Sequence, residues 1–245
     1  YYFNEAHGLL SDTYLQPEPS GGNYSQNIRA NVSAGVGYAN YTAHGSVSGW
    51  ADRSFSINDV ANLQNAHKYP LMVGNCCVTS TYNQYCFGEA LLRAQNKGAL
   101  GYIGASNNSY WDEDYYWGVG IGPIVVNPTY EDHGLGAYDR TFHDHGEPMT
   151  EWYSTQDQMV FAGNLAVQES NSGMKQYYWE IYCLMGDPSL MVYYSIPSAM
   201  QATYAPLLPL GSAEFEVETE PYAYIAVTRN NVIHGVAEAD ENGHA

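Results

Sequence analysis

The sequence predicts an α/β fold, with a mainly parallel sheet flanked by helices and a short all-β segment after it. Three observations carry this prediction. Over about 70 residues, apolar runs of strand type alternate with segments of helical spacing, which is typical of parallel sheets. From residue 213 the chain instead alternates apolar and polar residues, which favours strands. The 245 residues are 45% hydrophobic, enough to bury the core of one large domain.

The elements of the alternating region follow from local signals. Ser56 is a candidate helix N-cap and Pro70 a stop, so a helix is predicted between them. Gly98 is a candidate C-terminal cap for a later helix. In order, we predict a loop over 16–27, a helical turn, a strand over about 36–43, a helix over 57–66, a strand ending near Cys76 and Cys77, a helix over 86–98 and a strand over 99–106.

Residues 107–157 interrupt this pattern. They are aromatic and acidic, and a segment of this length without regular structure is usually a functional loop. Beyond it we predict a helix pair and an edge strand, with "GDPSL" forming a turn into the strand "LMVYY". Residues 196–209 are predicted to be a proline-rich linker, and the remainder three short strands with a turn at "RNN".

The chain is strongly acidic, with eight lysines and arginines against 26 aspartates and glutamates and a net charge of −18. This charge disfavours nucleic acid and anionic lipid as partners. It suits a cationic substrate or a calcium ion. No apolar run reaches the roughly 20 residues that a membrane-spanning segment requires. The sequence begins at Tyr1 instead of Met, so we expect further residues upstream in a precursor.

Two of the four cysteines, Cys76 and Cys77, are neighbours at the end of a predicted strand. Four cysteines are too few for a disulfide scaffold, and adjacent cysteines rarely bond to each other, so we expect a free thiol. His44 also follows a predicted strand, and ligands bind beyond the carboxyl ends of parallel strands. Cys77 and His44 are therefore a candidate nucleophile and base for acyl transfer, with the N–H groups of Gly45 and Cys77 as an oxyanion hole. The alternative, a buried cysteine packed as a small apolar residue near a structural histidine, stays open.

Several long motifs resemble those of the gingipains, which are clan CD cysteine peptidases of family C25 with a caspase-like fold. The resemblance is greatest to the lysine-specific branch and runs along the whole chain. The motifs are "YTAHGS", "GNCC", "CFGEALLRAQNKGALGYIGASNNSYWDEDYYWGVG", "YDRTF", "FAGNLA" and "LMGDPSLM". The resemblance implies a caspase-like peptidase domain over 1–197, the C-terminal portion of the whole domain. It also implies that 198–245 is the incomplete start of an immunoglobulin-like domain.

The resemblance also implies roles for individual residues. Cys77 corresponds to the nucleophile, His44 to its proton shuttle, and Gly45 and Cys77 to the oxyanion donors, while Cys76 does not react. Thr42, Trp111 and Asp114 correspond to the specificity pocket. The chemistry agrees, because a lysyl side chain has an apolar stem for Trp111 to cover and an ammonium head for Asp114 to meet.

Three departures from the family pattern qualify this inference. No aspartate before His44 matches the family's supporting acid, which we expect upstream of this sequence. Val47 stands where the family usually has a glutamate. The loop between Cys77 and Cys86 is shorter than in the lysine-specific branch. This loop and the Glu of "CFGE" hold calcium in the family, which implies Glu89 and a carbonyl near Tyr82 as ligands.

A transition-metal site is a further candidate in the acidic region, although its spacing gives zinc no support. Its residues are His133, His143, His145, Asp132, Asp139 and Asp144.

Together, these features predict a cysteine endopeptidase, secreted or at a bacterial cell surface, that cleaves proteins or peptides after lysine. Its expected partner is the upstream segment of the same precursor. Two alternatives remain: a catalytically impaired homologue that binds basic peptides or acts as an adhesin, and an arginine-specific peptidase of the same fold.

Overall fold

A computed structural model describes residues 2–15, 24–52, 54–134, 136–143, 145–148, 151–194 and 197–245. The chain divides into two compact units, Tyr1–Ile196 and Pro197–Ala245. Every candidate site residue lies in the first unit.

The first unit contains helices and strands in the alternating order that the sequence predicts. The helices are α1 Tyr24–Ala34, α2 Ile57–Ala61, α3 Phe87–Arg93, α4 Trp111–Gly118, α5 Tyr130–His133, α6 Gln156–Glu169 and α7 Lys175–Ile181. The strands are β1 Tyr38–Thr42, β2 Gly45–Ser46, β3 Gly49–Trp50, β4 Phe55–Ser56, β5 Leu71–Asn75, β6 Gly101–Ala105 and β7 Tyr182–Gly186. Within the described ranges, no helix is long and apolar enough to span a membrane.

The central sheet has four strands in the order β1-β5-β6-β7. β1, β5 and β6 run parallel to one another, and β7 runs antiparallel along β6. The short strands β2, β3 and β4 form a separate antiparallel sheet directly after β1. The predicted mainly parallel sheet with helices on its faces is confirmed.

Two hydrophobic clusters lie on opposite faces of this sheet, because successive side chains of a strand point to opposite sides. Leu71 and Val73 of β5 join one cluster, together with Trp117 of α4 and residues of α6 and α7. Met72 of β5 joins the other, together with Phe87 of α3 and residues of α1 and α2. β5 and β6 are buried along their whole length, which explains why their sequences are continuous apolar runs.

Two helices end earlier than predicted. α2 begins after Ser56, which donates its N–H and its hydroxyl to Asp59 at 2.9 Å, but it ends at Ala61. α3 ends at Arg93, so Gly98 does not cap it. Gly98 has a φ of 96° in the turn before β6, and the side-chain amide of Asn65 bonds both its N–H and its carbonyl, at 2.9 Å and 2.7 Å.

The prediction of long irregular loops over 107–157 is wrong for residues 111–118, which form α4. Three acids occupy the first turn of α4, where the positive end of the helix dipole stabilises negative charge. Trp117 is fully buried and donates its indole N–H to Asn164 of α6 at 3.1 Å. Tertiary packing of the aromatic residues therefore determines this helix.

The edge strand precedes the turn at "GDPSL" instead of following it. β7 covers Tyr182–Gly186, whereas "LMVYY" contributes only an isolated bridge between Met191 and Thr155. Asp187 forms the turn by accepting the N–H and hydroxyl of Ser189 at 2.9 Å and 2.7 Å.

The second unit contains four strands in its described residues instead of the three predicted. They are β8 Thr203–Tyr204, β9 Val217–Glu218, β10 Tyr224–Arg229 and β11 Val232–Glu238. β8 lies within the predicted linker and pairs with β9. β10 and β11 form a hairpin at the predicted "RNN" turn, where Asn230 and Asn231 both have positive φ, as a tight hairpin turn requires. The immunoglobulin-like character of this unit stays a prediction.

Candidate active site

The carboxyl ends of β1 and β5 meet at one edge of the sheet. Thr42 lies opposite Asn75 in the parallel register, and His44 and Cys77 each follow two residues later. The two segments touch, because a methyl group built on Gly45 would lie 2.5 Å from the carbonyl oxygen of Cys77. The prediction that neighbouring strands bring the histidine and cysteine segments together is confirmed.

The two adjacent cysteines differ in their surroundings. Cys76 is completely buried, and burial raises the pKa of its thiol well above the usual value. Cys77 is only partly buried, and its sulfur accepts the N–H of Ser109 at 3.3 Å. Both are free thiols. Cys77 thus combines access with a donor that can stabilise a thiolate.

The backbone directly after Cys77 is strained. Val78 has a φ of 50°, a left-handed conformation that is unfavourable for a β-branched residue. Its N–H donates to the carbonyl of Asn107 at 3.0 Å, and Ser80 donates to Ala105 at 3.0 Å. These bonds tie the turn to the end of β6, and strain of this kind concentrates at functional sites.

His44 is exposed, and both its backbone N–H and its carbonyl are hydrogen-bonded. Its N–H donates to Asp52 at 3.0 Å, and its carbonyl accepts the hydroxyl of Tyr41 at 2.7 Å. The imidazole meets the indole of Trp111 edge to face, with ring centroids 5.2 Å apart. The exposed ring therefore lies against the first residue of α4.

A cavity of about 220 Å³ opens beside these strand ends. It brings together the three residues proposed for the specificity pocket. Its lining is Thr42, Asn75, Trp111, Asp112, Asp114, Tyr115, Gly118, Val119, Ile124 and Tyr138.

Asp114 is a buried acid in the wall of this cavity. One carboxylate oxygen accepts the hydroxyls of Tyr178 and Tyr182 at 2.9 Å and 2.6 Å. The other accepts the hydroxyl of Ser109 at 2.7 Å. Desolvation raises the pKa of Asp114 to about 6 although these three hydrogen bonds lower it. Above that pH the cavity contains a negative charge shielded from water.

The remaining predicted pocket residues lie at the mouth of the cavity. Trp111 is 59% exposed, so one face of its indole is free to cover a ligand. The hydroxyl of Thr42 lies 3.5 Å from that of Tyr138, which itself donates to Asn40 at 2.7 Å. An aromatic wall and a deep carboxylate suit an elongated cation.

Comparison with known proteins assigns the family. The sequence profile of peptidase family C25 matches residues 2–193. The chain belongs to this family.

Its curated C25 relatives include Lys-gingipain HG66 of Porphyromonas gingivalis, 41% identical over 255 residues. That match covers 100% of this chain and 14% of the relative. Gingipain R2 of P. gingivalis (strain ATCC BAA-308 / W83) is 27% identical over 207 residues, covering 82% of this chain and 26% of the relative. The chain thus spans about 14% of the length of the Lys-gingipains that it matches.

Solved protease structures share the fold. One titled "Structure of Protease" superposes with a TM-score of 0.86 at 37% identity, covering 100% of this chain and 54% of that chain. The crystal structure of the Arg-specific cysteine proteinase gingipain R superposes with a TM-score of 0.73 at 23% identity, covering 92% of this chain and 49% of that chain. The predicted caspase-like α/β fold is therefore confirmed.

The described residues of this C25 chain do not complete a calcium site. Glu89 lies in the first turn of α3, and its carboxylate pairs with Arg93 at 2.6 Å. Tyr82 is 71% exposed. Within the described ranges, no three histidine, cysteine or acidic side chains gather as ligands. Since calcium takes six to eight oxygen ligands, Glu89 alone does not fit one, and calcium stays a prediction from the family resemblance.

The three histidines of the candidate transition-metal site have separate partners. His145 bonds Asp139 at 2.9 Å, and His143 stacks on Trp152 with ring centroids 4.3 Å apart. The ring of His133 bonds the carbonyl of Pro123. Asp144 lies outside the described residues. These contacts support structural roles for the three histidines.

Sequence reasoning missed two residues of this C25 site. Asp52 holds the backbone of His44, and Ser109 contacts both Cys77 and Asp114. Asp52 belongs to no quoted motif, and Ser109 lies in the motif "NNSYWDEDYYWGVG" without a role that the motif assigns, because both contacts depend on how loops return to the sheet edge. Val47, where the family usually has a glutamate, accepts the N–H of Phe87 at 2.9 Å through its backbone carbonyl and so anchors the start of α3.

Proposed function

We propose that this chain carries the nucleophile and specificity pocket of a cysteine endopeptidase that cleaves after lysine. The observation that carries the proposal is the cavity at the ends of β1 and β5, which Thr42 and Asn75 line and whose wall contains the buried carboxylate of Asp114. Membership of family C25 supports the reaction class. The identity of 41% to Lys-gingipain supports the preference for lysine.

The proposed reaction is acyl transfer. The thiol of Cys77 gives its proton to His44, its sulfur attacks the scissile carbonyl carbon, and the N–H groups of Gly45 and Cys77 stabilise the oxyanion. His44 gives a proton to the leaving amine, which breaks the C–N bond and leaves a thioester on Cys77. Water, deprotonated by His44, then attacks the thioester carbon. The C–S bond breaks, the carboxyl product leaves, and His44 returns the proton to the sulfur of Cys77.

The specificity follows from the shape and charge of the cavity. A lysyl stem would lie along the exposed face of Trp111, and its ammonium would reach Asp114, with the hydroxyl of Thr42 as a further acceptor. An ammonium is compact and needs no fixed plane, whereas a guanidinium requires a bidentate acceptor. Both oxygens of Asp114 already accept hydroxyls, which favours lysine over arginine.

A fluorogenic panel with lysine, arginine or asparagine at P1 and otherwise identical sequences tests this function on the full-length protein. We expect lysyl cleavage at least about tenfold faster than arginyl cleavage and no cleavage after asparagine. Equal or faster arginyl cleavage would assign the chain to the arginine-specific alternative, which the relatives named gingipain R make a specific competitor.

A catalytically impaired homologue that binds basic peptides is the other candidate. Val47, in place of the usual acid of the family, favours it. Absence of cleavage in the panel, together with saturable binding of a lysyl peptide, would identify this case.

The proposed setting is outside the cell or at a bacterial surface, as the family resemblance implies. The proposed partners are protein or peptide substrates and an upstream segment of the same precursor. A complex of pro- and mature domains among the structural neighbours supports a segment of this kind.

A further inference from the structure

The hydroxyl of Tyr41 holds the backbone carbonyl of His44. Tyr41 lies near the end of β1 and is buried. Its ring stacks on the indole of Trp50, with ring centroids 4.9 Å apart and an angle of 9° between the planes. Its hydroxyl donates to the carbonyl of His44 at 2.7 Å and accepts the N–H of Asp52 at 2.9 Å. Packing therefore fixes the ring of Tyr41, and two backbone partners fix its hydroxyl.

The carbonyl of His44 accepts a second hydrogen bond, from the N–H of Ala51 at 3.0 Å. The next pair along this antiparallel ladder is Gly45 opposite Trp50. Hydrogen-bonded and non-hydrogen-bonded pairs alternate along such a ladder, so Gly45 and Trp50 form a non-hydrogen-bonded pair. The N–H of Gly45 therefore points away from β3 and is not used by the ladder.

The carbonyl of His44 and the N–H of Gly45 belong to one peptide group. A trans peptide is planar, so its C=O and N–H point in opposite directions. Donors that fix the carbonyl therefore also fix the direction of the N–H. Gly45 itself packs against the nucleophile segment, because a methyl group built on it would lie 2.5 Å from the carbonyl oxygen of Cys77.

We propose that Tyr41 is a positioning residue of the oxyanion hole. By holding the carbonyl of His44, its hydroxyl directs the N–H of Gly45 toward the oxyanion that forms on the scissile carbon. This proposal rests on the proposed function of the site. Tyr41 acts through the peptide group between His44 and Gly45. Without its hydroxyl, this peptide group keeps the bond from Ala51 alone and tilts more freely.

Tyr41→Phe removes the hydroxyl and keeps the ring that stacks on Trp50. We expect it to lower kcat about tenfold for lysyl and arginyl substrates alike, with little change in KM. The reason is that the oxyanion forms only in the transition state, and a misaligned donor loses part of the roughly 10²–10³-fold that a complete donor contributes.

Tyr38→Phe is the matched control. Tyr38 begins the same strand, and its buried hydroxyl has no hydrogen-bond partner among the described residues. This variant should keep the kinetics of the unsubstituted protein. Thermal melting checks that both variants are folded.

Two reagents separate the oxyanion hole from the nucleophile. A lysyl aldehyde, with the arginyl aldehyde in parallel, adds to the thiol of Cys77: sulfur bonds to carbon, the proton goes to oxygen, and the tetrahedral adduct resembles the transition state. Iodoacetamide reacts with the same sulfur at a saturated carbon, with loss of iodide, and needs no oxyanion donor. Protection of Cys77 from iodoacetamide, read by peptide mapping of the full-length protein, measures the affinity for the aldehyde without requiring turnover.

In Tyr41→Phe we expect the affinity for the aldehyde to fall about tenfold, in step with kcat/KM, because the adduct uses the same donor. The rate of alkylation without aldehyde should stay the same. Unchanged kcat and aldehyde affinity in a folded Tyr41→Phe would overturn the proposal. An equal loss of alkylation rate would also overturn it, since Tyr41 would then act on the thiolate.

The same measurements separate this proposal from the proposed function. If the unsubstituted protein cleaves nothing but binds an aldehyde more tightly than Tyr41→Phe does, the peptidase assignment fails and the role of Tyr41 stands. If the unsubstituted protein cleaves lysyl substrates and Tyr41→Phe matches it, the function stands and the role of Tyr41 fails. Absence of both cleavage and aldehyde binding in the unsubstituted protein would overturn both.

Discussion

The two walls of the candidate site are built in different ways. One consists of the ends of the parallel strands β1 and β5, which place His44, Gly45 and Cys77 by backbone register and close packing. The other consists of α4 and its preceding connection, which place Asp114 by side-chain hydrogen bonds to hydroxyl groups. In the proposed function, the strand wall supplies the reacting groups, and the helix wall supplies the charge that selects a substrate.

This difference means that substitutions in the two walls should have separable effects. Changes in the strand wall should reduce cleavage of every substrate. Changes in the helix wall should reduce the preference for lysine.

The largest expected effect is on the strand wall. Cys77→Ala should lower kcat by about 10⁴-fold or more for every substrate, because it removes the nucleophile. Cys76→Ala is the matched control, since Cys76 is a buried neighbour with a raised pKa and should keep most of the activity. Loss of activity in Cys76→Ala with a folded protein, and retention in Cys77→Ala, would exchange the two assignments.

The next effect separates the helix wall from the strand wall. Asp114→Asn should lower kcat/KM for lysine at P1 by about 10²-fold or more, because a buried ammonium would lose its counter-charge. Asp112→Asn is the control, because Asp112 also lines the cavity but is exposed. A change below threefold in Asp114→Asn would remove Asp114 from the pocket.

A smaller effect is expected where the two strand ends touch. Gly45→Ala would place a methyl group 2.5 Å from the Cys77 carbonyl oxygen and 2.7 Å from the Cys76 sulfur, so the backbone must shift. We expect kcat to fall about tenfold or more for lysyl and arginyl substrates alike, since small displacements of reacting groups are costly. Unchanged kinetics would show that the two segments are free to separate.

The smallest effect is the pH dependence of lysine recognition. The pKa of Asp114 is raised from 3.8 to about 6, so the carboxylate loses its charge as the pH falls below 6. kcat/KM for lysyl substrates should fall up to about tenfold per pH unit there, and Asp114→Asn should lack this step. A profile in Asp114→Asn that matches the unsubstituted protein would show that another group titrates.

The same raised pKa affects stability with a definite sign. The folded state binds the Asp114 proton more tightly than the unfolded chain does, so stability from this group is present below about pH 4 and is lost as the pH rises through about 6. Replacement by asparagine should therefore reduce the loss of thermal stability between pH 4 and pH 7. An unchanged slope in the Asp114→Asn melting curves would contradict this.

The strand wall could be predicted from the sequence because its signals are local. β5 is a continuous apolar run, and the residues after β1 and β5 are the ones that parallel strands bring to a common edge. Because Gly45 directly follows His44, the same local pattern predicts where a base and an N–H donor lie.

The helix wall could not be predicted in the same way. Residues 111–118 combine acids and aromatics without an amphipathic repeat, and the helix depends on the burial of Trp117 against α6. Ser109 contacts Cys77 from a segment distant in the sequence, and Asp52 reaches the N–H of His44 through the direction of its side chain, so spacing alone does not reveal either contact. The resemblance to the gingipains predicts Trp111 and Asp114 as pocket residues. The hydroxyl groups that bond Asp114 are visible only in the structure.

The most direct test is covalent labelling of the full-length protein with a lysyl chloromethyl ketone, followed by intact mass and peptide mapping. We expect a single adduct on Cys77, absent in His44→Ala and strongly slowed in Asp114→Asn, because labelling requires both walls. An adduct on another residue, or none on a Cys77 that still reacts with iodoacetamide, would contradict a lysine-directed cysteine peptidase at this site.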